Sequence, residues 1–387
     1  MNPEKNEKKE INKDFERKYI PEYPYVDIES MANDLLEWIE PAKEKPKEQP
    51  EAKKKKIKRT YPQDWSSYNK AQQLEKVYLM RFLDELLDYI PFPERKSVGR
   101  NPVSPRDKIF YLALQSYNLK SSRRCISDLQ IAKRLGYIDK APHFNTVLKC
   151  MKDRDLISYL KHLISVSGLP LQQIETDFAV DSSGFSTSQF GRWLDVRFDE
   201  GKKKERRKFV KAHITCGVKT NIITAVNITK GYSGDSPQFP DLVLQTSKMY
   251  DIAEVSADKA YLSRENFNVV NELGGIAFIP FKKNVLRKGK TQRYGSYLWK
   301  KMFKYFTENQ EEFMEHYHKR SNCESTFYML KRKFDSHLRS KDEFGQQNEI
   351  LAKCLCHNIC VLIQEMFELG IAIDFKKCAE IPIAHKH

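Results

Sequence analysis

Two isolated aspartates and one spaced aromatic, basic and acidic pattern carry the chemical interest of this 387-residue chain. Asp181 directly follows the apolar run Phe178-Ala179-Val180, and Asp258 directly follows Ile252-Ala253-Glu254-Val255-Ser256-Ala257. An acid placed there sits on or near a strand end, where it serves as a cap or turn residue or offers oxygens to a hard cation such as Mg²⁺. The third feature is Tyr317-x2-Arg320-x3-Glu324-x6-Lys331. At about 100° per residue these four positions fall within roughly 60° of arc, so one helical face presents a phenol, two cations and a carboxylate. An exposed, salt-bridged helix offers the same residue types, because Arg320 and Glu324 are an i,i+4 pair. Asp177 would share a strand face with Asp181, and spacing does not separate the two. Glu315 and Asp335 flank Glu324 in the same way, outside the register of the pattern.

The elements that must position these groups change character along the chain. Residues 1–62 are rich in Lys, Glu and Pro and poor in periodic apolar residues, which predicts a largely disordered arm. Within it, Met31, Leu35, Leu36 and Ile39 keep helical spacing, and Lys53 to Arg59 reads equally as a phosphate grip or a solvated charge run. Residues 63–170 are helical in pattern, beginning with the stripe Leu74, Val77, Tyr78, Phe82, Leu83, Leu86 and Leu87. Ser104-Pro105 predicts a helix start and Gly136 a helix stop. Arg106, Lys120, Arg123, Arg124, Lys133 and Arg134 among short helices fit a helix-turn-helix-like DNA reader, and equally a helical scaffold with ordinary surface charge.

From residue 171 to 375 the period shifts. Three strands are predicted at Phe178–Phe185, Val210–Val218 and Ile222–Ile228. A helix near Pro240–Tyr250, a strand entering Asp258, a helix at Arg264–Leu273, a strand at Ile276–Phe281 and long helices follow, leaving 376–387 as a tail. That order describes an α/β fold, a mixed sheet flanked by helices, of the ribonuclease H-like kind. An all-helical DNA-binding domain would precede this catalytic domain.

Composition narrows the partners. With 67 Lys+Arg against 52 Asp+Glu the formal charge is +15, a balance suited to a polyanion. Eight cysteines without a secretory segment ahead of them point to a reducing cytosol. No apolar run approaches the roughly 20 residues of a membrane span, so no membrane partner is expected.

Taken together in order, the motifs resemble the DDE transposases of bacterial and archaeal insertion sequences, in the branch with a Tyr-Arg-Glu-Lys signature. Val180-Asp181-Ser182-Ser183-Gly184 is similar to the first block and Ala257-Asp258-Lys259-Ala260-Tyr261 to the second, while Tyr317, Arg320, Glu324 and Lys331 fit the third without gaps. The resemblance implies Asp181, Asp258 and Glu324 as catalytic and metal-holding acids with two Mg²⁺ ions, Mn²⁺ being able to substitute. It implies water attack at an element end and then attack of the freed 3′-OH on target DNA, a two-metal, in-line displacement. Tyr317, Arg320 and Lys331 would handle DNA, Arg through its planar fork and Lys as a point charge. Partners would be double-stranded DNA, both element ends and target, and further copies of the chain in a dimer or larger synaptic assembly. The location would be cytoplasmic, at the nucleoid. A transposase-derived DNA-binding protein without catalysis and a nuclease of the same fold are the alternatives.

Three flanking features complete the reading. Lys202, Lys203, Lys204, Arg206 and Arg207 lie between the first two strands, where a hairpin tip would contact DNA backbone. Lys282, Lys283, Arg287, Lys288, Lys290 and Arg293 form a second basic stretch. Cys354-x-Cys356-His357-x2-Cys360 offers zinc-binding atoms, but its spacing fits no finger or ribbon, and the segment reads as an apolar core helix with buried thiols.

Overall fold

The computed structural model describes residues 64–92, 102–187, 209–282 and 296–375, all within one compact unit. The predicted arm, the tail, the basic run 202–207 and all of the second basic stretch except Lys282 lie outside the described residues.

Side-chain caps start the first helices. Asp64 accepts the N–H groups of Ser66 and Ser67 at the start of α1 (Trp65–Asp88). Ser104 caps α2 (Pro105–Asn118), whose proline stands at the first turn as predicted. Ser121 opens α3 (Ser122–Arg134), and the chain then turns at Gly136 with φ +81°, a left-handed conformation that favours glycine. Next come α4 (Phe144–Met151) and α5 (Leu156–Ser167).

The sheet is five-stranded and mixed, in the order β3-β2-β1-β4-β5. Strands β1 (Asp177–Ser186), β2 (Phe209–Gly217) and β3 (Ile223–Lys230) form an antiparallel meander. Buried Glu175, just before β1, accepts the N–H groups of Lys219 and Thr220 and so ties down the β2–β3 turn. Beyond α6 (Phe239–Ser247), β4 (Glu254–Ala257) returns parallel to β1. Beyond α7 (Arg264–Glu272), β5 (Ile276–Phe278) pairs parallel to β4. Parallel neighbours need such helical crossovers. The predicted strand continuing to Phe281 stops early because Pro280 has no N–H to give to a ladder.

One face of the sheet packs Phe178, Val180 and Val255 against Phe239, Leu242, Val243 and Phe267 of α6 and α7. Helices α8 (Tyr297–Glu308) and α9 (Gln310–His318) extend this core with Trp299, Met302 and Phe313. Helix α10 (Ser321–Phe334) packs on β1 and β2, and α11 (Glu343–Leu369) packs on α1, α2 and α5.

The edge of β3 is closed by side chains. Asn358 of α11 accepts the Ile223 N–H and donates to the Ile223, Ile164 carbonyls and Ser167 Oγ. Ser165 Oγ donates to the Thr224 carbonyl at 2.9 Å. An open edge is thereby paired with helix side chains.

Helix α11 corrects one expectation, for by length and composition it is apolar enough to cross a membrane, although 72% of its most apolar stretch is buried inside the protein. It holds the Cys/His cluster as core: Cys356 Sγ donates to the Ala113 carbonyl and His357 Nε2–H to that of Asn221. Burial pushes the Cys354 thiol up to about 12, so it stays protonated and makes a poor zinc ligand.

Two stability predictions follow from α11. Asn358→Ala should lower unfolding free energy by about 2–4 kcal/mol, because several buried groups lose partners at once; denaturant titration measures this. Burial holds the His357 imidazole down at about 4, below its unfolded value near 6.5. The unfolded chain therefore takes up the proton first, and stability present above pH 6.5 is lost as pH falls towards 4. His357→Gln should flatten that part of a stability–pH curve.

Candidate active site

The register of β1 against β4 places the two aspartates. Val180 pairs with Ala257 in a parallel ladder, and one step further along stand Asp181, still within β1, and Asp258, the first residue past the end of β4. Asp258 leaves β4 in extended conformation and caps the short turn Lys259–Tyr261 by accepting the Lys259 N–H at 2.8 Å.

Alternation along β1 then divides its side chains. Asp181, Ser183 and Phe185 meet α10, whereas Ser182 turns to the other face and donates to Asp235 Oδ1 at 2.9 Å. Glu324 occupies the first turn of α10, where the helix dipole favours an anion. Arg320 sits at the N-cap of the same helix. Its Nη1 donates to Asp181 Oδ2 at 2.8 Å and its Nη2 to Glu324 Oε1 at 2.6 Å. One guanidinium thus bridges two of the three predicted acids.

Asp181 is the most enclosed of them electrostatically. Burial raises its carboxyl above the ordinary value, with the charges of Glu324 and Asp258 adding to the rise; the Ser182 N–H and Arg320 act against it. The Glu324 side chain is 60% exposed against 18% for Asp181, so the glutamate has freedom to move and the aspartate has little. Oxygen donors that repel one another suit a hard divalent cation in charge and chemistry. Among the described residues, however, no three acidic, His or Cys groups stand close enough together to hold an ion. The acids fit a metal only with Arg320 displaced from Asp181 and Glu324.

The signature does not lie on one continuous helix. Tyr317 belongs to α9, the chain turns through Lys319 and Arg320, and α10 begins at Ser321. Tyr317 is half-buried against the apolar core and has the Arg320 guanidinium 5.8 Å from its ring centre. Lys331, in the last turn of α10, is committed to β1, donating to Ser183 Oγ at 2.5 Å and to the Gly184 carbonyl at 2.9 Å. Burial lowers its pKa.

Asp177 is accounted for differently from Asp181. It receives Lys319 Nζ at 2.6 Å, and the same ammonium reaches Glu254 Oε2 at 2.7 Å. His316 Nδ1 also meets Glu254 at 2.9 Å while its ring stacks on Phe278. Sequence reasoning missed Lys319 although it adjoins the signature. It also missed Asp235, which joins Ser182, Lys211 Nζ at 2.5 Å and His213 Nδ1 at 3.4 Å behind β1. Burial is the main reason the His213 imidazole is held down at about 4. No local spacing announces that network, since its members come from three separate segments.

Residues 172–359, which contain all three acids, match the family model for the transposase DDE domain, and the match supports a DDE transposase. Among solved structures, a piggyBac transposase synaptic complex with hairpin DNA, determined by cryo-electron microscopy, aligns over 79% of this chain and 79% of its own. Identity is 11% and the TM-score 0.33, a likeness too loose to bear on fold or function. No curated protein matches the chain by sequence.

Replacing Asp177 by Asn should cost about 1 kcal/mol of stability, because Lys319 retains Glu254; equilibrium unfolding of the variant against wild type checks this.

Proposed function

We propose that this chain is a transposase of the insertion-sequence branch with a Tyr-Arg-Glu-Lys signature, which cuts DNA at the ends of its element and joins the freed 3′-OH to target DNA. The carrying observation is the in-register pairing that sets Asp181 beside Asp258, with Glu324 tied to Asp181 through Arg320. A ribonuclease H-like catalytic domain is consistent with the mixed sheet and its order of strands.

In this reading Asp181, Asp258 and Glu324 hold divalent cations, Mg²⁺ or Mn²⁺, which when bound polarise phosphoryl oxygens and lower the pKa of water. The residues themselves do the rest. The two aspartates, Asp181 within β1 and Asp258 just past the end of β4, set the reference frame. Glu324, on the first turn of a helix, completes the donor set from the exposed side. Arg320 pairs with a non-bridging phosphate oxygen by its fork, and Tyr317 beside it lies within reach of the same DNA segment. Lys331 keeps β1 and α10 together and adds positive potential under the phosphates. No nucleophilic Ser or Cys is required, because positioned phosphodiester and hydroxyl groups react directly.

The basic surface supplies affinity. Exposed Arg123, Arg124 and Lys133 on α3 and Lys149 on α4 make a candidate DNA face in the helical segment. Lys202, Lys203, Lys204, Arg206 and Arg207 would extend the phosphate track. Double-stranded DNA, in a dimer or larger assembly of the chain in the cytoplasm, is the proposed partner.

Mg²⁺-dependent cleavage and joining of DNA carrying the element's ends tests the reading. Asp181→Ala, Asp258→Ala and Glu324→Ala should each bind DNA yet lose at least roughly 10³-fold in rate, the equivalent of several kcal/mol of transition-state stabilisation. Folded wild type that binds the ends without cutting would favour a non-catalytic DNA-binding protein. Cutting without joining would favour a nuclease.

A further inference from the structure

Arg320 makes incompatible commitments. Its Nη1 and Nη2 hold Asp181 Oδ2 and Glu324 Oε1, and Asp181 Oδ1 already takes the Ser182 N–H. A cation ligated by Asp181 and Glu324 would need oxygens that the guanidinium now occupies. Ion and guanidinium would also repel at a separation of a few ångströms. The third nitrogen, Nε, is buried and has no hydrogen-bond partner, which is costly for a charged group. The guanidinium also stands at the amino end of α10, where the helix dipole disfavours a cation. Arg320 is therefore held by two acids and incompletely satisfied. A phosphate answers both deficits, because it accepts Nε and one Nη together in a planar fork.

Other cations of the region are placed differently. Lys319 serves Asp177 and Glu254, and Lys331 serves Ser183 and the Gly184 carbonyl. Among the described residues it is Arg320 that is hydrogen-bonded to both Asp181 and Glu324.

We propose that Arg320 competes with divalent cations for Asp181 and Glu324, and that a DNA phosphate draws it away, so that cation loading follows DNA binding. This rests on the reading of those acids as cation ligands. Arg320 is then a positioning residue with two alternative partners: the protein's own carboxylates in the free chain and the DNA backbone in the complex. The coupling restrains metal-dependent chemistry until a phosphate is in place. It is reciprocal, so bound cation also frees Arg320 and tightens its hold on DNA.

The full chain tests this with Mn²⁺ as the probe, its free-ion electron paramagnetic resonance signal reporting binding without any activity measurement. Without DNA, Arg320→Gln should bind Mn²⁺ at least about tenfold more tightly than wild type. Arg320→Lys, whose point charge cannot bridge both acids, should fall between them. In Fe²⁺-directed backbone cleavage, wild type should be cut near residues 181, 258 and 324 several-fold more strongly once duplex DNA is added, whereas Arg320→Gln should be cut equally with and without it. Affinity of Arg320→Gln equal to wild type, with binding still abolished by Asp181→Asn, would overturn the competition while keeping the cation site. Binding untouched by Asp181→Asn would remove the cation site itself and the inference with it. Circular dichroism establishes folding; should Arg320→Gln fail there, a lysine variant indistinguishable from wild type overturns the competition.

Discussion

The pairing of β1 with β4 is the constraint from which the site follows. Asp181 and Asp258 are 77 residues apart by their numbering, and only the parallel register Val180↔Ala257 makes them neighbours. A slip of one residue would turn Asp181 away from α10 and present Ser182 in its place. That register is secured by burial on both faces: Phe178, Val180, Val255 and Ala257 on one, and their alternates Ala179 and Ser256 on the other, are almost fully enclosed. Each large apolar side chain sunk there contributes about 1.5–3 kcal/mol relative to exposure. The core fixes the acids by making any other alignment bury polar groups.

Gathering acids has an electrostatic cost, and the structure offsets it locally. Asp177 and Glu254 share Lys319, Asp181 and Glu324 share Arg320, and Asp235 meets Lys211. Each of these cations reaches at least one carboxylate on another element. These pairings also act as braces: Lys319 links the end of α9 to β1 and β4, and Lys331 links α10 to β1. Positive groups that suit DNA are thus already in use inside the protein, and their availability to a ligand depends on what they release.

Much of this was legible in the chain because the strands are largely apolar runs, buried on both faces, with clear polar boundaries. The apolar run before Asp258 announced a strand end, whereas the one before Asp181 did not, because β1 continues past it to Ser186; the meander followed by helix–strand repeats announced a mixed sheet. Arc geometry placed Arg320, Glu324 and Lys331 on one side of a helix, but could not foresee the turn at Lys319–Arg320 that puts Tyr317 on a separate element. Asp177 and Asp181 were inseparable by period; Lys319, 142 residues away, separates them. The same holds for Asp235, whose partners Ser182 and Lys211 are brought to it only by the sheet. Long-range polar pairing leaves no local pattern, whereas apolar periodicity does. Apolar content alone also misleads, since α11 has the composition of a membrane span yet owes it to contact with α1, α2, α5 and β3.

The three acids differ in how firmly they are held, and this difference has a physical logic. Asp181, inside β1 between two paired strands, has little room to shift, and Asp258, just past the end of β4, is held by the turn it caps. Glu324 has one more methylene, lies in the first turn of α10 and is largely exposed. Its carboxylate can move by rotamer change at small cost, since few contacts hold it. A site assembled from two rigid acids and one adjustable acid can keep its reference geometry while accepting ligands of changing shape. The adjustable member is also the one that shares its counter-ion with a rigid member. Movement of Glu324 therefore alters the hold on Arg320, and through Arg320 the charge felt by Asp181, linking donor geometry to electrostatics within a single turn of helix.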